Sequence, residues 1–110
     1  MTVSYFVIYQ GQAEDPEAFR KHYRETHVPI LRTWPGIQGI TLHTPVCWSD
    51  SEPVRTSEFA LLSQMTFADG EALESALHSA QRAAAREDFE RFPRFVGDVF
   101  HQAVLSERMA

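Results

Sequence analysis

The chain has 110 residues, of which 44% are apolar and 23% charged, with five glycines and six prolines. That is the length of one domain (1–110), and ordinary Gly and Pro usage excludes a collagen-like or disordered chain. The formal net charge of −5 has the wrong sign for a protein that tracks nucleic-acid phosphates.

Residues 3–10 predict a strand, with Val3, Tyr5, Val7 and Tyr9 on one side and Phe6 and Ile8 on the other. Gly11 to Glu14 reads as a loop. Asp15-Pro16-Glu17 opens a helix: Asp caps free amides, Pro is pre-set for the first helical position, and Glu suits the positive end. Phe19, Tyr23, Thr26, Ile30 and Trp34 then recur at spacings of three and four, which predicts an amphipathic helix over 16–34. Pro29 cannot donate to the Glu25 carbonyl, so a kink is expected near His27–Val28, and Pro35-Gly36 ends the helix.

Residues 37–48 predict a strand, and Pro45 places it at a sheet edge. The polar stretch 49–56 is a loop and 57–67 the next strand. Asp69 caps a second helix with Leu73, Ala76, Leu77 and Ala80 as its apolar row. The pattern breaks near Ser79, resumes over 83–92 and closes at Pro93. Residues 95–105 predict the last strand and 106–110 a frayed tail. The mixed charges from Arg82 to Arg94 read as a solvated face. Cys47 is the one cysteine, so no intramolecular disulfide forms, and a reducing compartment fits. The start lacks a positive leader, and no stretch approaches the roughly 20 apolar residues of a membrane span. The expectation is a cytoplasmic protein with no membrane and no nucleic-acid partner.

The order β-α-β-β-α-β predicts an α+β, ferredoxin-like protomer, a four-stranded antiparallel sheet with its helices on one face. Its two central strands, 3–10 and 57–67, read as apolar on both faces, so the second face needs a cover. A second copy supplies one: the expected assembly is a homodimer whose open faces meet as an α/β barrel around an interior.

The stretch Asp15-Pro16-Glu17-Ala18-Phe19, then His22-Tyr23-Arg24-Glu25-Thr26-His27-Val28-Pro29-Ile30, then Pro35-Gly36-Ile37, resembles the signature of the EthD family. The resemblance is dense over residues 3–40 and one of pattern beyond. It implies a ferredoxin-like protomer, a dimeric α/β barrel and a cavity for a small ligand. It implies no settled reaction, since this family and its barrel relatives span ether degradation, lactone isomerisation, polyketide cyclisation and cofactor-free oxygenation.

His27 lies on the flank of the apolar helix stripe, beside Tyr23 one turn before it. Imidazole exchanges a proton near neutral pH, which suits enolisation, dehydration or lactone chemistry; equally, His27 could bond a carbonyl freed by Pro29. Tyr23 either packs in the core or donates to a substrate oxygen that gains charge. These two are the candidate catalytic residues. His43 and His101 are candidate ligand-binding residues if their strand parity faces the cavity, and solvated otherwise. Trp34, Phe6 and Phe59 are candidate apolar walls, or simply core. His22 reads as a rim histidine and His78 as a helix-end cap. His22 and His27 point too far apart on a helix to grip one metal, so no metal is expected. Neither are an organic cofactor, a GxSxG elbow or a nucleotide loop. Three functions stay open: a cofactor-independent lyase, isomerase or cyclase acting on an oxygenated, partly apolar substrate, a non-catalytic binding or accessory protein of an oxidative pathway, and a barrel-type monooxygenase.

Overall fold

The computed structural model describes residues 1–110. Strand β1 (Thr2–Ala13) leads to helix α1 (Pro16–His22), a π-helical turn (Tyr23–His27) and helix α2 (Val28–Leu31). Strands β2 (Gly39–His43) and β3 (Leu61–Phe67) follow, then helices α3 (Gly70–Leu77) and α4 (Ala80–Phe89) and strand β4 (Phe95–Ser106). The four strands form one sheet in the order β2-β3-β1-β4, and every neighbouring pair is antiparallel. This is the expected α+β, ferredoxin-like arrangement, with β2 at the edge. No helix is long and apolar enough to cross a membrane.

Capping follows the sequence. Asp15 accepts from the Ala18 amide at 3.1 Å, Asp69 from Ala72 at 2.8 Å, and Ser79 from Arg82 at 3.1 Å. The last of these restarts the helix at the break expected near Ser79. Residues 16–34 do not simply kink. Pro29 has no amide for the Glu25 carbonyl, and the register slips in the turn before it: the Val28 amide reaches back five residues to the Tyr23 carbonyl. The helical path ends at Leu31, short of Trp34, which sits in the following turn.

The strands also depart from expectation. β1 runs on through Gly11 because Gly11 faces Gly97 on β4, at φ 141° and 147°. A Cβ on either would meet a facing carbonyl oxygen at 2.2 or 2.1 Å, so only glycine lets the ladder continue there. β2 stops at His43, before Pro45, and β3 starts at Leu61, leaving 44–60 irregular.

Alternation divides the sheet. Tyr5, Val7, Tyr9, Leu61, Met65 and Phe67 turn to the helices and join a core of 14 buried residues with Phe19, Tyr23 and Leu31. The opposite face carries Phe6, Ile8, Leu62 and Phe100, interspersed with Ser4, Gln64 and Thr66. That second face is therefore mixed rather than apolar throughout, a correction to the sequence reading.

Candidate functional site

The π turn decides where the chemistry sits. Its wider register brings residues five apart onto one side, so His22 joins His27, while Tyr23 and His27, four apart, are both buried with ring centroids 4.8 Å apart. Phe92 stands edge-on to the His27 ring, also at 4.8 Å, and lies 5.8 Å from Tyr23. Packed against two aromatic rings, the imidazole has little freedom to swing.

Its Nδ1 lies 2.9 Å from Oδ2 of Asp88 on α4. Asp88 is 3% exposed, yet it lies in the segment read as a solvated face. Here the sequence reading is corrected: Ala85, Asp88 and Phe92 follow one another at spacings of three and four, so the carboxylate belongs to the inward row of α4. His22 corrects the rim reading as well. Its Nε2 lies 3.1 and 3.2 Å from the two Asp88 oxygens. One buried carboxylate thus serves two imidazoles, which is how a buried charge is satisfied.

Asp88 accepts a proton-bearing Nδ1 from His27, and this fixes the tautomer with Nε2 as the free acceptor. Nε2 has no partner in the protein. Burial holds His27 below the ordinary imidazole value of 6.5, against the opposing pull of Asp88 and with a further push from His22. His27 is therefore a neutral base at pH 7. Burial also pushes the Tyr23 hydroxyl up to about 12, so it remains a donor across the physiological range.

These groups face a cavity of about 350 Å³ between the helices and the sheet. Tyr23, His27, Trp34 and His101 all line it. His101 sits opposite Val7 in the ladder, on the helix-facing parity, and its Nδ1 lies 2.5 Å from the Tyr5 hydroxyl. Burial, then the charges of Arg86 and Arg82, keep His101 below 6.5. The other three sequence candidates lie elsewhere. Phe6 is on the opposite sheet face, half-buried. His43 shares that face and is exposed, with Nε2 3.0 Å from Gln64 Oε1. Phe59 borders a wide groove of about 1240 Å³ between the 44–60 segment and the start of α1, away from the histidines. Sequence reasoning missed Asp88, Tyr5, Arg82 and Arg86. The clue for Asp88 was its place in an apolar row; Arg82 and Arg86 lie on α4 in the segment read as a solvated face, and Tyr5 was read only as one side of its strand. No group of three or more His, Cys, Asp or Glu is placed to hold a metal ion.

Comparison with known proteins gives a consistent picture. Residues 11–94 match the family model described as the EthD domain. No curated protein matches the chain. An EthD family protein from Bacillus halodurans has 27% identity and a TM-score of 0.77, covering 97% of this chain and 100% of its own. An EthD-like protein from Ralstonia eutropha has 15% identity and a TM-score of 0.69, covering 98% and 96%. SnoaB, a cofactor-independent oxygenase from Streptomyces nogalater, has the same fold at 13% identity and a TM-score of 0.61, covering 98% and 95%.

Proposed function

The chain belongs to the EthD family, and on that premise we propose that it binds a small, partly apolar oxygenated molecule beneath its helices and moves a proton on it. The observation that carries this reading is the buried His27–Asp88 pair, 2.9 Å apart, at the wall of the cavity. His27 Nε2 takes a proton from carbon next to a carbonyl. The Tyr23 hydroxyl donates to the oxygen as negative charge gathers there, and the imidazolium formed is stabilised by Asp88. The proton then returns at another position or leaves with a departing group, as in an isomerase, cyclase or lyase. No resident metal or organic cofactor enters these steps.

The assembly is a homodimer in this proposal. Phe100 is 48% exposed and Val104 37%, beside Phe6 and Ile8 on the uncovered face, and a second copy would shield them. Each protomer then keeps its own ligand cavity on the far side of its sheet. The single domain (1–110) and a cytoplasmic location complete the proposal.

The test is hydrogen–deuterium exchange at the α-carbons of 2-tetralone in D₂O, followed by NMR. The protein should accelerate exchange over buffer, and His27→Ala should remove the acceleration while the dimer stays folded. Acceleration that survives in His27→Ala contradicts the assignment. A rise in melting temperature with 2-tetralone and no exchange makes this a binding protein, the alternative function.

A further inference from the structure

We propose that the α4–β4 side of the cavity is a carboxylate-binding subsite, formed by Arg82, Arg86, His101 and the indole N–H of Trp34. The inference rests on the cavity being the ligand site described above, and it adds the charge of the ligand.

Arg82 and Arg86 are one helical turn apart on α4, so they share a face, and both line the cavity. Neither makes an ion pair with a carboxylate of the chain, whereas Arg91 and Arg94 farther along pair with Glu87 and Glu14. The chain has 15 acidic and 10 basic residues, so carboxylates are the commoner charge, yet none is set against these two guanidiniums. Arg82 gives one N–H to the Leu77 carbonyl at 3.2 Å and another toward the Tyr5 hydroxyl, which fixes its direction, and the guanidinium's five donors leave others for a ligand.

The neighbouring groups have the same polarity. With the Tyr5 hydroxyl donating to Nδ1 at 2.5 Å, His101 carries its proton on Nε2, which has no partner in the protein. Trp34 is 4% exposed, and its Nε1 is buried without a hydrogen-bond partner. A buried donor left unpaired loses its hydration without compensation, and a bound acceptor would relieve that. Every unpartnered polar group on this side is a donor, and two carry a full positive charge. The complementary ligand presents only acceptors and a negative charge, and a carboxylate meets the planar fork of arginine with two oxygens. Val7, Met65, Val99 and Phe89 supply the apolar remainder of the cavity. The class is therefore an aromatic or alicyclic monocarboxylate, its ring among the apolar walls and its reacting carbon toward His27.

The probes are 2-naphthoate and 2-naphthamide, which share a ring system and differ in charge, titrated calorimetrically into the intact protein. The acid should bind about tenfold tighter or better, and added salt should shrink the difference. Arg86→Gln should abolish the preference by weakening the acid more than the amide; Arg86 is exposed and makes no ion pair, so folding is not at stake. Equal affinities, no binding of either probe, or a preference that survives in both Arg86→Gln and Arg82→Gln overturns the proposal. Equal affinities with 2-tetralone exchange intact count against the carboxylate subsite alone. Lost exchange with the preference intact counts against the proton-transfer reading alone.

Discussion

The two faces of one sheet are built from alternate residues of the same strands, and they differ in kind. The helix-covered face holds Tyr5, Tyr9 and His101 and meets Tyr23 and His27 across a cavity, with Asp88 behind His27. The opposite face holds Phe6, Ile8 and Phe100 with hydroxyl and amide side chains, and its histidine, His43, is exposed. Burial shifts proton affinities only where side chains are covered, so the first face is suited to chemistry and the second to assembly. A one-residue slip in any strand would exchange these roles.

The sharpest way to break the comparison is on the covered face. Asp88→Asn keeps the volume but removes the charge that orients His27 and stabilises its protonated form. Turnover of 2-tetralone exchange should fall by about 10²-fold or more. Because Asp88 raises His27's proton affinity, the His27 titration should also move further down, which an NMR pH series detects. Unchanged exchange would remove Asp88 from the mechanism.

Next, Phe6→Asp combined with Phe100→Asp places two charges on the open face. Light scattering at micromolar concentration should then report one chain instead of two. Naphthoate binding should persist, since the cavity lies within a single protomer. Loss of binding with loss of the dimer would mean that the faces are not independent.

A smaller effect comes with pH. His27 and His101 both have lowered native values, so between those values and 6.5 the unfolded chain binds more protons than the folded one. Their contribution to stability is whole above 6.5 and is lost as pH falls through the native values. Urea unfolding should show stability rising from pH 5 to 7, and replacing His27 with Gln should flatten that rise. The smallest effect is expected at His43→Ala, within about 0.5 kcal/mol of wild type and with no change in naphthoate affinity, because the side chain is exposed.

The sequence carried the architecture well, because caps, prolines and alternation are local signals. Asp15, Asp69 and Ser79 cap where they should, and Pro45 lies just beyond an edge strand. Tyr23, His27 and Trp34 were legible because a helical stripe and a family motif both marked them. His101 was named as a candidate, but its direction was not legible, because it depends on pairing with Val7, a register that only the folded sheet fixes. Asp88 was hidden by its charged neighbours Arg86, Glu87 and Glu90, which do face water. The cavity was expected inside a barrel between two open faces. The chain has one under its own helices, lined by Tyr23 and His27.

Nitrogen-15 NMR of His27 across pH 4 to 8 probes the buried pair without any substrate. The geometry requires a neutral ring protonated at Nδ1, with a midpoint below 6.5. A ring protonated at Nε2 would leave no free base at the cavity wall, and a midpoint at or above 6.5 would mean that burial does not govern the ring; either contradicts the account.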